Sequence, residues 1–375
     1  MVNTALANRS EVRIRTIYPK SLASLSAFLM LFMFLLFNPG CTEDDALAPS
    51  TDPAVDTRSS LEKIRLGYEV TNLVADVDGY DAAIIDPNLV NAWGIAISPN
   101  GAFWISAAET ELSTIYSDEG VTLRPPVTME GEPTGQVFNG APGFVIPTVG
   151  SARFIFATEY GTITAWRTGN VATTMIDRSA MGAGYTGLEL ASDGGQNFLY
   201  AANVEQGTID VFDTAWNYVA TKPFIDPNLP GGASPFNIRL ISGLLYVTYV
   251  GPGGGLVNVF TTGGVFLKRF ATGGTLSAPW GITNIPPDFG QGQGILVGNF
   301  GDGRINIYNK LGHFKGQLGD EDGNPITIDG LWALTFEAGA FDGTEEPDLY
   351  FTAGPENETH GIFGEIEFVR EEEEE

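Results

Sequence analysis

The stretch APWGITNIPPDFGQGQGILVGNFGDGRINIYNK, residues 278–310, contains three candidate strands separated by turns. An apolar opening around Trp280 runs into a Pro- and Gly-rich turn. The aliphatic run ILVGN follows, then a Gly-containing turn and the alternating run RINIYN. Apolar runs bounded by Gly and Pro read as buried strands, and alternation reads as a half-buried one. The same order recurs from Asn91, Gly143, Tyr185, Ser234 and Gly330, which makes six copies with the one quoted. Such self-similarity is the signature of a repeat architecture.

The approaches to the copies repeat as well: IDPNL at 85–89 leads into the first and IDPNL at 225–229 into the fourth. A further strand usually follows the alternating one, as in GVFLKRFA (264–271) and HFKGQLG (313–319). Four strands per copy is the unit of a propeller blade. The sixth copy stops at GEIEFV without its fourth strand, whereas YEVTNLVA (68–75) precedes the first copy with no blade of its own. The sequence therefore predicts an all-β, six-bladed β-propeller with four-stranded blades over residues 67–370. The N-terminal strand would complete the last blade and close the ring, removing strand edges that would otherwise template aggregation.

Composition agrees with this reading. Glycine supplies 47 of 375 residues with no three-residue period, as many short turns require. The 24 Phe, 12 Tyr and 6 Trp argue against disorder for the body of the chain. A net charge of -27, with only 19 basic residues and no basic stripe, argues against a nucleic-acid partner. It is compatible with a solvated acidic surface that keeps the protein monomeric, or with cation binding.

The N-terminus carries Arg9, Arg13, Arg15 and Lys20 ahead of the uncharged run SLASLSAFLMLFMFLLF (21–37), and then NPG and the only cysteine, Cys41. Basic, apolar and small-residue regions in that order form a signal-peptide layout, with an uncleaved membrane anchor as the alternative. The stretch LFNPGC resembles the lipobox of bacterial lipoproteins, with Gly40 in the position before the lipidated cysteine. CTEDD is similar to the acidic export signal of surface lipoproteins of the Bacteroidota. The resemblance implies a signal peptide over 1–40, lipidation at Cys41 and attachment to the outer membrane, facing the cell surface. Residues 41–66 read as a flexible acidic spacer and 371–375 as an acidic tail.

The body resembles NHL and YVTN-type propellers through APWGI…ILVGNFGDGRINIYN. With NLVNAWGI, SPFNI, PWGIT and DGLWAL it is also similar to a family of uncharacterised bacterial exported propeller proteins. Those resemblances imply a fold and a location and assign no activity.

Chemistry is sparse. No G-x-S-x-G or Walker A motif occurs, and two histidines, His313 and His360, leave no zinc set and read as solvated or turn residues. The acidic turns DVDGYD (76–81) and DEDGNP (320–325) read as Asp-Gly turns rather than calcium loops. Superposing the ends of the second strands places Ala108, Glu159, Asn203, Tyr249, Asn299 and Ala353 in one column. Glu159, Asn203 and Asn299 are then candidate channel-rim ligands for a hard cation such as Ca²⁺, with Glu109 and Glu189 as additions; the alternative is turn and rim roles. Lactonases of the gluconolactonase type are similar in principle, holding one channel metal with Glu, Asn and Asp.

Trp93, Phe236, Trp280 and Trp332 recur where the copies open. They either pack blade on blade or form a face that stacks on sugar or peptide rings. The sequence thus points to a lipid-anchored extracytoplasmic binding or scaffold module for a protein, peptide or glycan. The alternative is a metal-dependent hydrolase or lactonase using a channel cation.

Overall fold

The computed structural model of the protein describes residues 65–343 and 347–371. Cys41, the signal peptide, most of the spacer and all of the acidic tail but Glu371 lie outside the described residues.

Six sheets, one per blade, form a six-bladed β-propeller, antiparallel except where Ile84–Ile85 pairs parallel with the end of Arg65–Ala75. Its inner strands are Ala92–Ile97, Pro133–Phe138, Tyr185–Asp193, Ser234–Ile241, Pro279–Asn284 and Leu331–Thr335. Each inner strand lies against the next, and the last lies against the first. Blades are numbered 1–6 in that order. The end of the channel where these strands begin is called upper, the other end lower.

The predicted closure is present. Strand Arg65–Ala75 pairs antiparallel with Ile362–Glu371, so blade 6 takes its outer strand from the start of the ring. A buried latch holds it, since the Asp76 carboxylate accepts from His360 Nδ1 at 2.9 Å and from the Gly361 N–H at 3.0 Å. The repeated IDPNL segments form one turn twice: Asn88 N–H donates to Asp86 at 3.0 Å, and Asn228 N–H to Asp226 at 2.9 Å.

Two details depart from the sequence pattern. Blade 2 opens at Pro133–Phe138, not at Gly143. The segment after Gly143 forms a separate small hairpin, Val145–Ile146 with Gly150–Ser151. The inner strand PTGQVF is hard to read from sequence because Gln136 stands where the other blades carry Ile95, Leu188, Ile238, Ile282 and Leu334, and Thr134, like Thr186 of blade 3, replaces an aromatic. Blade 3 has three strands, its outer edge reduced to the single bridge Phe212–Tyr218.

Glycine sets how tightly the inner ring closes. A Cβ at Gly94 would sit 2.5 Å from the Thr134 carbonyl oxygen, one at Gly135 2.5 Å from the Leu188 nitrogen, and one at Gly281 2.6 Å from the Trp332 carbonyl oxygen. The ring is also stitched between blades. Thr134 Oγ1 donates to the Tyr185 carbonyl at 2.7 Å, Thr186 Oγ1 to that of Phe236 at 2.7 Å, and Asn237 Nδ2 to that of Trp280 at 3.0 Å.

Candidate functional site

The recurrent aromatics meet at the axis. Trp93 stacks on Trp332 at 3.5 Å and 19°, and Trp332 stacks in turn on Phe300 at 4.0 Å and 23°. Trp280 and Phe236 meet Trp332 edge-on at 5.8 and 5.7 Å. Trp93 also reaches Phe236 of blade 4, at 6.5 Å. Trp93, Phe236, Trp280 and Trp332 are 1%, 1%, 4% and 1% exposed. They form an aromatic plug across the channel, with their faces spent on one another rather than offered to solvent. Two indoles are oriented by hydrogen bonds, Trp280 Nε1 to the Thr186 carbonyl at 3.0 Å and Trp332 Nε1 to Asn91 Oδ1 at 3.2 Å.

Above the plug, the three predicted cation ligands are not brought together. In the observed register Thr158 lies opposite Pro133, Asn203 opposite Tyr185 and Asn299 opposite Pro279. Asn203 and Asn299 are therefore equivalent to Thr158, and Glu159 is one residue further on. Its N–H donates to the Glu132 carbonyl, as that of Phe300 does to Ala278. Successive residues of a strand point to opposite faces, so a slip of one reverses the side chain. Glu159 shares the position of Phe300, which faces the plug. The asparagines turn away and serve their own loops. Asn203 Nδ2 donates to Gln206 and Asp210 at 2.9 and 3.1 Å, and Asn299 Nδ2 to the Thr275 carbonyl and Asp302 at 2.8 and 2.9 Å.

Glu159 instead belongs to an acidic upper mouth. Burial pushes its carboxyl well above the usual range, and Glu132, Glu358 and Glu109 add to the shift by repulsion. Glu358 stands on the loop GPENETHG, where Glu356, Asn357 and Glu358 all adopt left-handed backbone (φ 54°, 59° and 69°). Three successive non-glycine residues in that region store strain. His360 stands in the turn of the same loop, as expected, and its ring is the latch to Asp76; His313 is exposed, and its backbone N–H donates to Asn309 at 3.0 Å. The DEDGNP turn closes on itself, with Asn324 N–H donating to the Asp320 carboxylate at 2.8 Å.

Below the plug the channel opens into a cavity of about 530 Å³. Its polar wall comes from the inner strands: Gln136, Glu189, Arg239 and Thr335, with Glu337 at the rim. Glu189 is fixed by two amides, Leu190 N–H to Oε1 and Leu240 N–H to Oε2, both at 2.9 Å. Arg239 Nε lies 3.9 Å from Glu189 Oε2, and its Nη2 donates to Thr335 Oγ1 at 3.2 Å. Burial raises the Glu189 carboxyl, and the Arg239 charge and the two amides oppose that shift. The sequence singles out Glu189 but not Arg239. Its signal was the polar residue three positions after the blade-opening Trp, Phe or Thr, which gives Glu189, Arg239, Thr283 and Thr335 in blades 3 to 6.

Fold and site together define a six-bladed β-propeller whose channel is plugged by aromatics and open below to a small polar cavity. The chain is 31% identical over 340 residues to uncharacterised protein R648 of Acanthamoeba polyphaga mimivirus, covering 82% of this chain and 81% of R648. It belongs to the family of that protein. Uncharacterised protein L690 of the same virus is 29% identical over 371 residues, covering 88% of this chain and 92% of L690. These relatives are viral, where the sequence resemblance had pointed to a bacterial family, and their names assign no activity. No family model matches the chain. Among solved structures, a streptogramin B lyase superposes with a TM-score of 0.51 at 13% identity, covering 81% of this chain and 98% of the lyase, a likeness of fold alone.

Proposed function

We propose that the protein is a lipid-anchored extracytoplasmic binding module that takes a group of a protein, peptide or glycan ligand into the lower mouth of the channel. The observation that carries this is the cavity: about 530 Å³ at the lower end of the channel, walled by side chains already held by hydrogen bonds. That volume falls in the roughly 300–1,000 Å³ range of small-ligand sites, and rigid placement of polar groups lowers the entropy cost of binding.

Screening the purified protein against glycan and peptide arrays tests the reading, with Ile97→Trp as the blocked variant, since Ile97 lines the cavity and is only partly buried. Ligands retained by the wild type and lost by Ile97→Trp support it. Ligands bound equally by both place the function elsewhere. The tether rests on the sequence around Cys41, and palmitate labelling that survives Cys41→Ala overturns it.

One observation favours a second reading, a hydrolase using a divalent cation such as Ca²⁺: Glu159 faces the upper mouth among Glu109, Glu132 and Glu358. Calcium titration followed by melting temperature, on wild type and Glu159→Ala, decides it. No wild-type shift and no turnover on a lactone panel ends that reading.

A further inference from the structure

We propose that the group received in the lower mouth is a small monocarboxylate that also carries hydrogen-bond donors, with its carboxylate bound by Arg239. This rests on the reading of that mouth as the binding site. A guanidinium has five N–H donors in a planar fork that matches a carboxylate. Among the described residues Arg239 has two partners, Thr335 Oγ1 at 3.2 Å and the Glu189 carboxylate at 3.9 Å from Nε. The first takes one donor and the second is beyond hydrogen-bond length, so the fork keeps donors for a ligand. The Arg239 side chain is 34% exposed, against 12% for Glu189, so within the pair it is the cation that reaches into the cavity.

The same wall rules on charge. Arg239 is the single basic residue of the cavity lining, and Glu189 and Glu337 stand in the same mouth. A dianion such as phosphate would meet one guanidinium and two carboxylates. A monoanion whose other groups are hydroxyls or an ammonium places its charge on the arginine and its donors toward the carboxylates. Gln136 is not available to the ligand in this way, because its Nε2 donates to the Gly94 and Trp104 carbonyls at 2.7 and 2.5 Å and its Oε1 accepts from Ser113 at 3.3 Å. It is a positioning residue for the wall. Arg239 itself is held from two sides, so little rotamer freedom is lost on binding.

Two sources present this chemistry, a sugar acid and the free end of a short peptide. The test is calorimetric titration of the purified protein with two matched pairs, galacturonate against galactose and glycylglycine against glycylglycinamide. The expected result is at least tenfold tighter binding of the acid in one pair, which identifies the source. Arg239→Gln should abolish that preference, and Arg239→Lys should keep only part of it, because an ammonium cannot bind bidentately. The double variant Glu189→Gln with Arg239→Gln removes both charges together and guards against loss of fold from a carboxylate left alone. It too should show no preference, with an unchanged melting profile. Failure to bind either acid overturns the proposal, as does a preference that survives Arg239→Gln. A neutral partner bound as well as its acid, and lost in Ile97→Trp, overturns the proposal while leaving the lower mouth as the site.

Discussion

Replacing Trp332 by alanine is the most direct test of the plug. The ring lies between Trp93 at 3.5 Å and Phe300 at 4.0 Å, with Trp280 and Phe236 edge-on, and it is 1% exposed. Truncating a fully buried aromatic costs about 3–5 kcal/mol, and each lost ring pair adds about 0.5–1.5 kcal/mol. Some of this overlaps, so about 4–6 kcal/mol is expected. With an unfolding entropy of about 2.1 cal/mol/K per residue over about 300 residues, 1 kcal/mol corresponds to ~1.6 °C, which gives a drop of ~6–10 °C in Tm by scanning calorimetry. Trp332→Phe retains one ring in the stack and should lose less. The cavity left by alanine is walled by aromatic rings with Asn91 Oδ1 at one side, and should accept indole, whose N–H can replace the lost donor. Indole at about ten times its Kd would restore about 1.4 kcal/mol, or ~2 °C. A Trp332→Ala protein that melts within ~2 °C of wild type, with no response to indole, would refute the plug as a packed element.

Three further outcomes follow from named contacts. Gly135→Ala should cost about 1–3 kcal/mol or more in chemical denaturation, because its Cβ would meet the Leu188 backbone nitrogen at 2.5 Å in a closed ring with little room to shift. Asp76→Ala removes the acceptor of His360 and Gly361 and should speed amide exchange along Arg65–Ala75 before the rest of the ring. Glu365 is pushed up to about 7 from 4.5 by burial first and then by Glu367, Asp348 and Asp118. The folded state therefore binds its proton more tightly than the unfolded chain. Its contribution is complete below pH ~4.5 and is lost as pH rises through 7. Glu365→Gln should flatten the fall in Tm across that window, and an unchanged pH profile would remove Glu365 as its cause.

The fold was legible because propeller blades repeat a local pattern. Apolar runs and glycine turns recur from Asn91 to Gly330, and the unpaired strand YEVTNLVA matches the missing strand of the sixth copy. Both follow from hydrophobic alternation and from edges that must be paired. The site was less legible because it depends on which way each side chain turns. Trp93, Phe236, Trp280 and Trp332 are visible as a recurring position, yet only the ring's closure shows that the position faces the axis, where the rings meet one another.

Register decides the rest. The ends of the apolar second strands group Glu159 with Asn203 and Asn299 in the sequence, whereas hydrogen bonding groups it with Phe300. In a strand that single step exchanges a channel-facing carboxylate for an amide locked in a turn. The ladder that corrects the step cannot be counted from composition, and an aromatic opening does not anchor it: blade 1 carries Trp93 yet slips in the same way, with Ala107 rather than Ala108 opposite Ala92. The inner strand does supply such an anchor once the small residue after the opening position is followed instead, as Gly94, Gly135, Gly187, Asn237, Gly281 and Ala333. That column is constrained by backbone approach between blades. It carries the true register in every blade, and two residues further along it lie Glu189 and Arg239, the pair in the wall of the lower mouth.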